Sequence, residues 1–108
     1  MRVIFLLLLH ILLFSDDGAL LFHGNCITCH NETRALSAPS MREIRQSYLT
    51  AFSDKKDFVK YMAQFIIKPD EESSIMIDKI KKYKLMPLLG YEQSVAYEIS
   101  TYVYEREF

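Results

Sequence analysis

The chain has 108 residues, half of them apolar, with 13 Lys and Arg against 14 Asp and Glu. That length suffices for one small domain and excludes two. A balance so close to neutral excludes a general nucleic-acid binder, which carries a clear basic excess.

The chain opens with Arg2 and an apolar run from Val3 to Phe14, broken only by His10 and ended by Ser15, Asp16 and Asp17. Such a run is too short for a bilayer core, which needs roughly 20 residues, and suits the centre of a secretory signal. Residues 1–15 are therefore expected to direct export, with cleavage after Ser15, although Leu13 is larger than the small residue usual at that place. The alternative is an uncleaved anchor that tethers the domain to a membrane. Residues 16–108 are the expected domain, placed in the periplasm.

Asp16 or Asp17 is positioned to cap a first helix running through Ala19 to Phe22 toward Cys26, since a carboxylate accepts the free N–H groups of a helix start. Residues 31–40 are rich in Asn, Ser, Thr and Ala and include Pro39, so they read as a loop. A short helix is predicted over Met41–Leu49. A stronger one follows Ser53 or Asp54, with Phe58, Tyr61, Met62 and Phe65 at helical spacing, and ends before Pro69. Ser73 or Ser74 opens another, with Met76, Ile80 and Tyr83 along one face and Lys79 and Lys82 facing away, stopped by Met86-Pro87. After Gly90 a last helix carries Val95, Ile99, Tyr102 and Arg106. No convincing strand is present, so the fold class is all-α. Loops longer than about ten residues are unusual in so small a domain; they make sense if they wrap something that is not protein.

The strongest chemical signal is Cys26-Ile27-Thr28-Cys29-His30. This Cys-x-x-Cys-His pattern is that of c-type haem attachment. Residues i, i+3 and i+4 of a helical turn share a face. Both thiols then reach the two vinyl groups of one porphyrin edge, and the imidazole comes under the iron. Three other readings remain open. The cysteines form a plain disulfide in one. In another they are a thioredoxin-like dithiol, although the βαβ context is missing. In the third they belong to a zinc site, with His23 the one further histidine of residues 16–108. For a sixth iron ligand the candidate is Met86, followed by the rigid Pro87. A thioether favours ferrous iron, and His/Met ligation raises the reduction potential. Met41, Met62 and Met76 have the same chemistry.

With these motifs the chain resembles the class I c-type cytochromes, above all the short bacterial monohaem ones. The resemblance spans residues 17–108. It rests on Gly18, Phe22 and Cys26 four apart, on Cys26-x-x-Cys29-His30, on Pro39 nine residues after His30, on Leu85-Met86-Pro87, and on Ile99 and Tyr102. It implies a few helices and long loops wrapped around one covalent haem c, with His30 and Met86 as the iron ligands. It also implies that the Pro39 carbonyl orients His30, and that Gly18, having no side chain, lets Tyr102 approach where the first and last helices cross. The chain departs from the family in having Ala38-Pro39 where Gly-Pro is usual. Residues 41–67 match no family motif; Arg45 and Tyr48 there either bind a propionate or are, respectively, a solvated helix residue and a rim residue.

The expected function is extracytoplasmic one-electron transfer by a monomer that docks redox partner proteins transiently. The chain is not expected to be an enzyme, since no acid, base or nucleophile constellation is visible. The alternatives are a haem domain that binds a small ligand, as a sensor or a redox-enzyme subunit, and a haem-free module closed by a disulfide. The Lys79, Lys81, Lys82 and Lys84 group is either a docking surface for an acidic partner or an ordinary solvated helix face.

Overall fold

A computed structural model describes residues 17–108. The expected signal segment and Asp16 lie outside the described residues. Within them the chain is all-helical, with no strand: α1 (Asp17–Asn25), α2 (Met41–Ala51), α3 (Lys55–Ile67), α4 (Ile77–Tyr83) and α5 (Gln93–Glu105). No described helix is long and apolar enough to cross a membrane.

Local chemistry accounts for most boundaries. Ser40 caps α2, its hydroxyl accepting from the Glu43 N–H at 3.2 Å. Asp54 caps α3 and accepts from the Asp57 N–H at 2.7 Å. Each satisfies one donor that a helix start leaves unpaired. Helix α3 ends at Ile67, two residues before Pro69. Helix α4 is shorter than its apolar spacing predicts. It begins at Ile77, after a turn over residues 71–73 and a Ser74 hydroxyl that accepts from the Met76 N–H at 3.1 Å. It ends at Tyr83, three residues before Met86, because Lys84 leaves helical geometry with φ 74° and ψ 167°. Arg106, expected on the last helix, lies just past its end, and its guanidinium sits 5.9 Å from the Tyr102 ring and 5.7 Å from the Phe108 ring.

Helix α5 packs against α1 and α3, and α2 touches both α3 and α5. The α3 stripe of Phe58, Val59, Met62, Ala63 and Ile66 meets the α5 stripe of Ala96, Ile99, Tyr102 and Val103. These are the three-and-four spacings that bury one helix face. Phe22 joins α1 to this core, its ring 5.3 Å from that of Tyr102. Gly18 is buried, and it lines a crevice with Tyr102. Full burial of a side chain such as Phe22 or Phe58 supplies about 1.5–3 kcal/mol. One polar group breaks the pattern. The Ser100 hydroxyl is buried on α5 with no hydrogen-bond partner among the described residues. Helix α4 packs against none of the other four helices.

Candidate functional site

Helical hydrogen bonding runs past the end of α1. The Cys26 N–H donates to the Phe22 carbonyl at 2.8 Å, and the His30 N–H to the Cys26 carbonyl at 2.8 Å. The Cys26–His30 segment is therefore a single turn continuing α1. Cys26 is half-buried and Cys29 exposed, and both are free thiols. Burial, aided by the nearby Cys29, pushes the Cys26 thiol up to about 11, so it is protonated at neutral pH. A dithiol redox catalyst needs the reverse, a lowered first cysteine.

His30 is half-buried, and its Nδ1 lies 2.9 Å from the Pro39 carbonyl. A carbonyl only accepts, so Nδ1 carries the proton and Nε2 keeps its lone pair. Burial holds the imidazole below its ordinary pKa, and the bond to Pro39 opposes this in part. The ring is thus neutral, in the tautomer that leaves Nε2 able to bind a metal. Pro39 is itself buried, and Ser40 beside it caps α2, so the partner of His30 sits on a fixed helix start.

Cys26, Cys29, His30, Pro39 and Met86 all line one predominantly apolar cavity of about 380 Å³. Phe22, Ile99 and Val103 of the core form part of its wall, and residues 74–89 supply another part. Among the described residues, no three of His, Cys, Asp and Glu converge as direct metal chelation requires. Cys26, Cys29 and His30 share a wall without sharing a centre. That suits a flat group bonded at its edge and ligated at its middle. The donor set fits a haem in kind: two thiols, a neutral imidazole with its outer nitrogen pinned, thioethers and an apolar lining.

Four methionines reach this cavity, not Met86 alone. Met41 and Met62 are buried in the core, whereas Met76 and Met86 are half-buried on either side of α4.

Arg45 is half-buried, neither a freely solvated side chain nor part of the cavity lining. Its Nε donates to the Val103 carbonyl at 3.0 Å and its Nη2 to the Tyr104 carbonyl at 2.9 Å, so it clasps the end of α5. Tyr48 is 5% exposed and lines the cavity. Lys79 does not face away from Met76, Ile80 and Tyr83: it lines the cavity with them, and its Nζ lies 2.8 Å from Glu43 Oε1 on α2. Lys82 is exposed as expected, its Nζ 5.1 Å from the Tyr83 ring. His23 is on the surface, donating from Nδ1 to the Ala19 carbonyl at 2.8 Å. The Ser40-x-x-Glu43 spacing was the available sequence signal for the α2 cap. Nothing local signals that Glu43 meets a lysine so distant in sequence.

No family model, curated protein or solved structure matches this chain.

Proposed function

We propose that this protein is an exported one-electron carrier holding one haem c through Cys26 and Cys29, with His30 and Met86 as axial ligands. The reading rests on one observation: His30, pinned by Pro39 with Nε2 free, shares an apolar cavity with both thiols and with Met86. Cys26 and Cys29 would hold the group by thioethers, formed by adding S–H across its vinyl double bonds, which needs no oxidant. The bound group supplies a one-electron iron couple. The chain's own residues do the rest. Cys26 and Cys29 make dissociation impossible in a dilute compartment. The Pro39 carbonyl holds the imidazole's rotation and strengthens it as a donor. Met86 offers a soft sulfur that favours the reduced metal. Phe22, Ile99 and Val103 exclude water. With His30 and Met86 holding the group, rearrangement on a change of charge would be small, which would suit fast exchange with a transiently docked partner.

The test is production in cells able to attach haem to exported proteins. The expected product is red, heavier by one haem after denaturation, and keeps its pigment through acid–acetone extraction. A folded, colourless product, or pigment lost to the solvent, overturns the proposal.

A further inference from the structure

We infer that the Glu43–Lys79 ion pair is a positioning tie that holds the strap bearing Met86 against the helix start that orients His30. The strap is the segment from Pro69 to Tyr91, with α4 at its middle. Helix α4 packs on no other helix. Among the described residues, no hydrogen bond and no other ion pair joins residues 69–91 to the rest of the protein. The 2.8 Å Lys79–Glu43 contact is therefore the strap's polar link to the body. It is also more sheltered than the Lys55–Glu105 pair, with side chains 26% and 41% exposed against 50% and 57%. The hydrogen bond to Glu43 holds the Lys79 ammonium above its ordinary pKa, so the cation persists throughout the neutral range.

The location of Glu43 gives the tie its meaning. Glu43 stands in the first turn of α2, where its N–H is capped by Ser40. Ser40 follows Pro39, whose carbonyl holds His30. One helix start thus carries the orienting partner of His30 and the anchor of the strap. Met86 lies seven residues beyond Lys79, across the short α4 and the positive-φ residue Lys84. Breaking the pair frees the strap without touching the imidazole. The metal-ligand side of this inference rests on the haem reading; the tie itself does not.

The experiment uses E43Q, K79M and the exchanged pair E43K/K79E, each as purified from haem-attaching cells. Two quantities are read: amide hydrogen exchange over residues 77–84, and the rate at which carbon monoxide combines with the ferrous protein. Each single variant is expected to raise both by roughly two- to five-fold, the range a half-exposed pair supplies. The exchanged pair is expected to restore them. In about 1 M salt, where screening falls to about 3 Å, wild type is expected to match the variants. K79M controls for E43Q, since it leaves the α2 first turn intact. Unchanged exchange in both single variants, or no recovery in the exchanged pair, overturns the tie. A colourless wild type sinks the haem reading instead and leaves the exchange result to decide the tie.

Discussion

Met86 and Met76 bracket α4 and reach the same cavity, so replacing each in turn separates ligand from lining. On the proposed haem reading, Met86→Ala is expected to lower the reduction potential and to open the ferrous iron to carbon monoxide, because His/Met ligation would be lost. Met76→Ala is expected to keep the wild-type spectrum. Reversed results, read by redox titration and absorption spectra, would move the ligand to Met76. Tyr48 makes a prediction about alkali. Burial pushes its phenol up to about 12 from an ordinary 10. Between those values the unfolded chain gives up a proton that the folded one keeps. Stability is therefore intact below pH 10 and falls as pH rises toward 12. The fall is on the order of 2–3 kcal/mol, at about 1.4 kcal/mol per unit. Tyr48→Phe should lose less stability than wild type between pH 9 and 11, measured by urea unfolding; equal losses would refute the assignment. Ser100→Ala removes a buried hydroxyl that has no hydrogen-bond partner among the described residues. It is expected to raise stability by about 1 kcal/mol, and a lower melting temperature would show that the hydroxyl is satisfied after all.

The helices differ in how they are held, and that decides what was legible beforehand. Helices α2 and α3 carry their own start signals in Ser40 and Asp54, and α3 and α5 their own buried stripes. Such local patterns can be read without a fold. The loop over residues 31–40 was legible for the same reason. Helix α4 was not, since its limits come from the turn over residues 71–73 and from the Lys84 backbone, neither of which leaves an apolar period. The Cys26, Cys29 and His30 cluster was plain because all three stand within one five-residue stretch. The Glu43–Lys79 and Arg45–α5 contacts were hidden because they join segments far apart in sequence. Arg45 shows the cost of that blindness. As a fork on the Val103 and Tyr104 carbonyls, it satisfies acceptors that the end of α5 leaves unpaired and adds a cation at the negative helix end. Arg45→Met is expected to lower stability by about 1–3 kcal/mol, and Arg45→Lys to recover only part, since an ammonium cannot span both acceptors. A thermal melt unchanged in Arg45→Met would show that the clasp contributes nothing.

At the scale of the whole molecule, the cavity occupies the place where a second half of the core would stand. Helices α1 and α3 both pack on α5, while residues 74–89 face this core across about 380 Å³ of largely apolar space. The space opens to solvent on the side where Cys29, Lys84 and Leu89 are exposed, and its apolar wall offers water few hydrogen-bond partners. On the proposed haem reading an occupant fills it, and attachment and folding should be measured together. In Cys26→Ala/Cys29→Ala, made in haem-attaching cells, the core helices are expected to persist while the wall facing them loses its support. If the haem reading holds, its melt should be broader and lower in temperature than that of the pigmented protein, each 1 kcal/mol lost shifting a domain of this size by about 4–8 °C. Amide exchange should rise first over residues 74–90, where no helix packing holds the chain, and last over α3 and α5. Equal melting temperatures with and without pigment, or uniform exchange along the chain, would mean that the cavity needs no filling and that residues 74–90 are stable on their own.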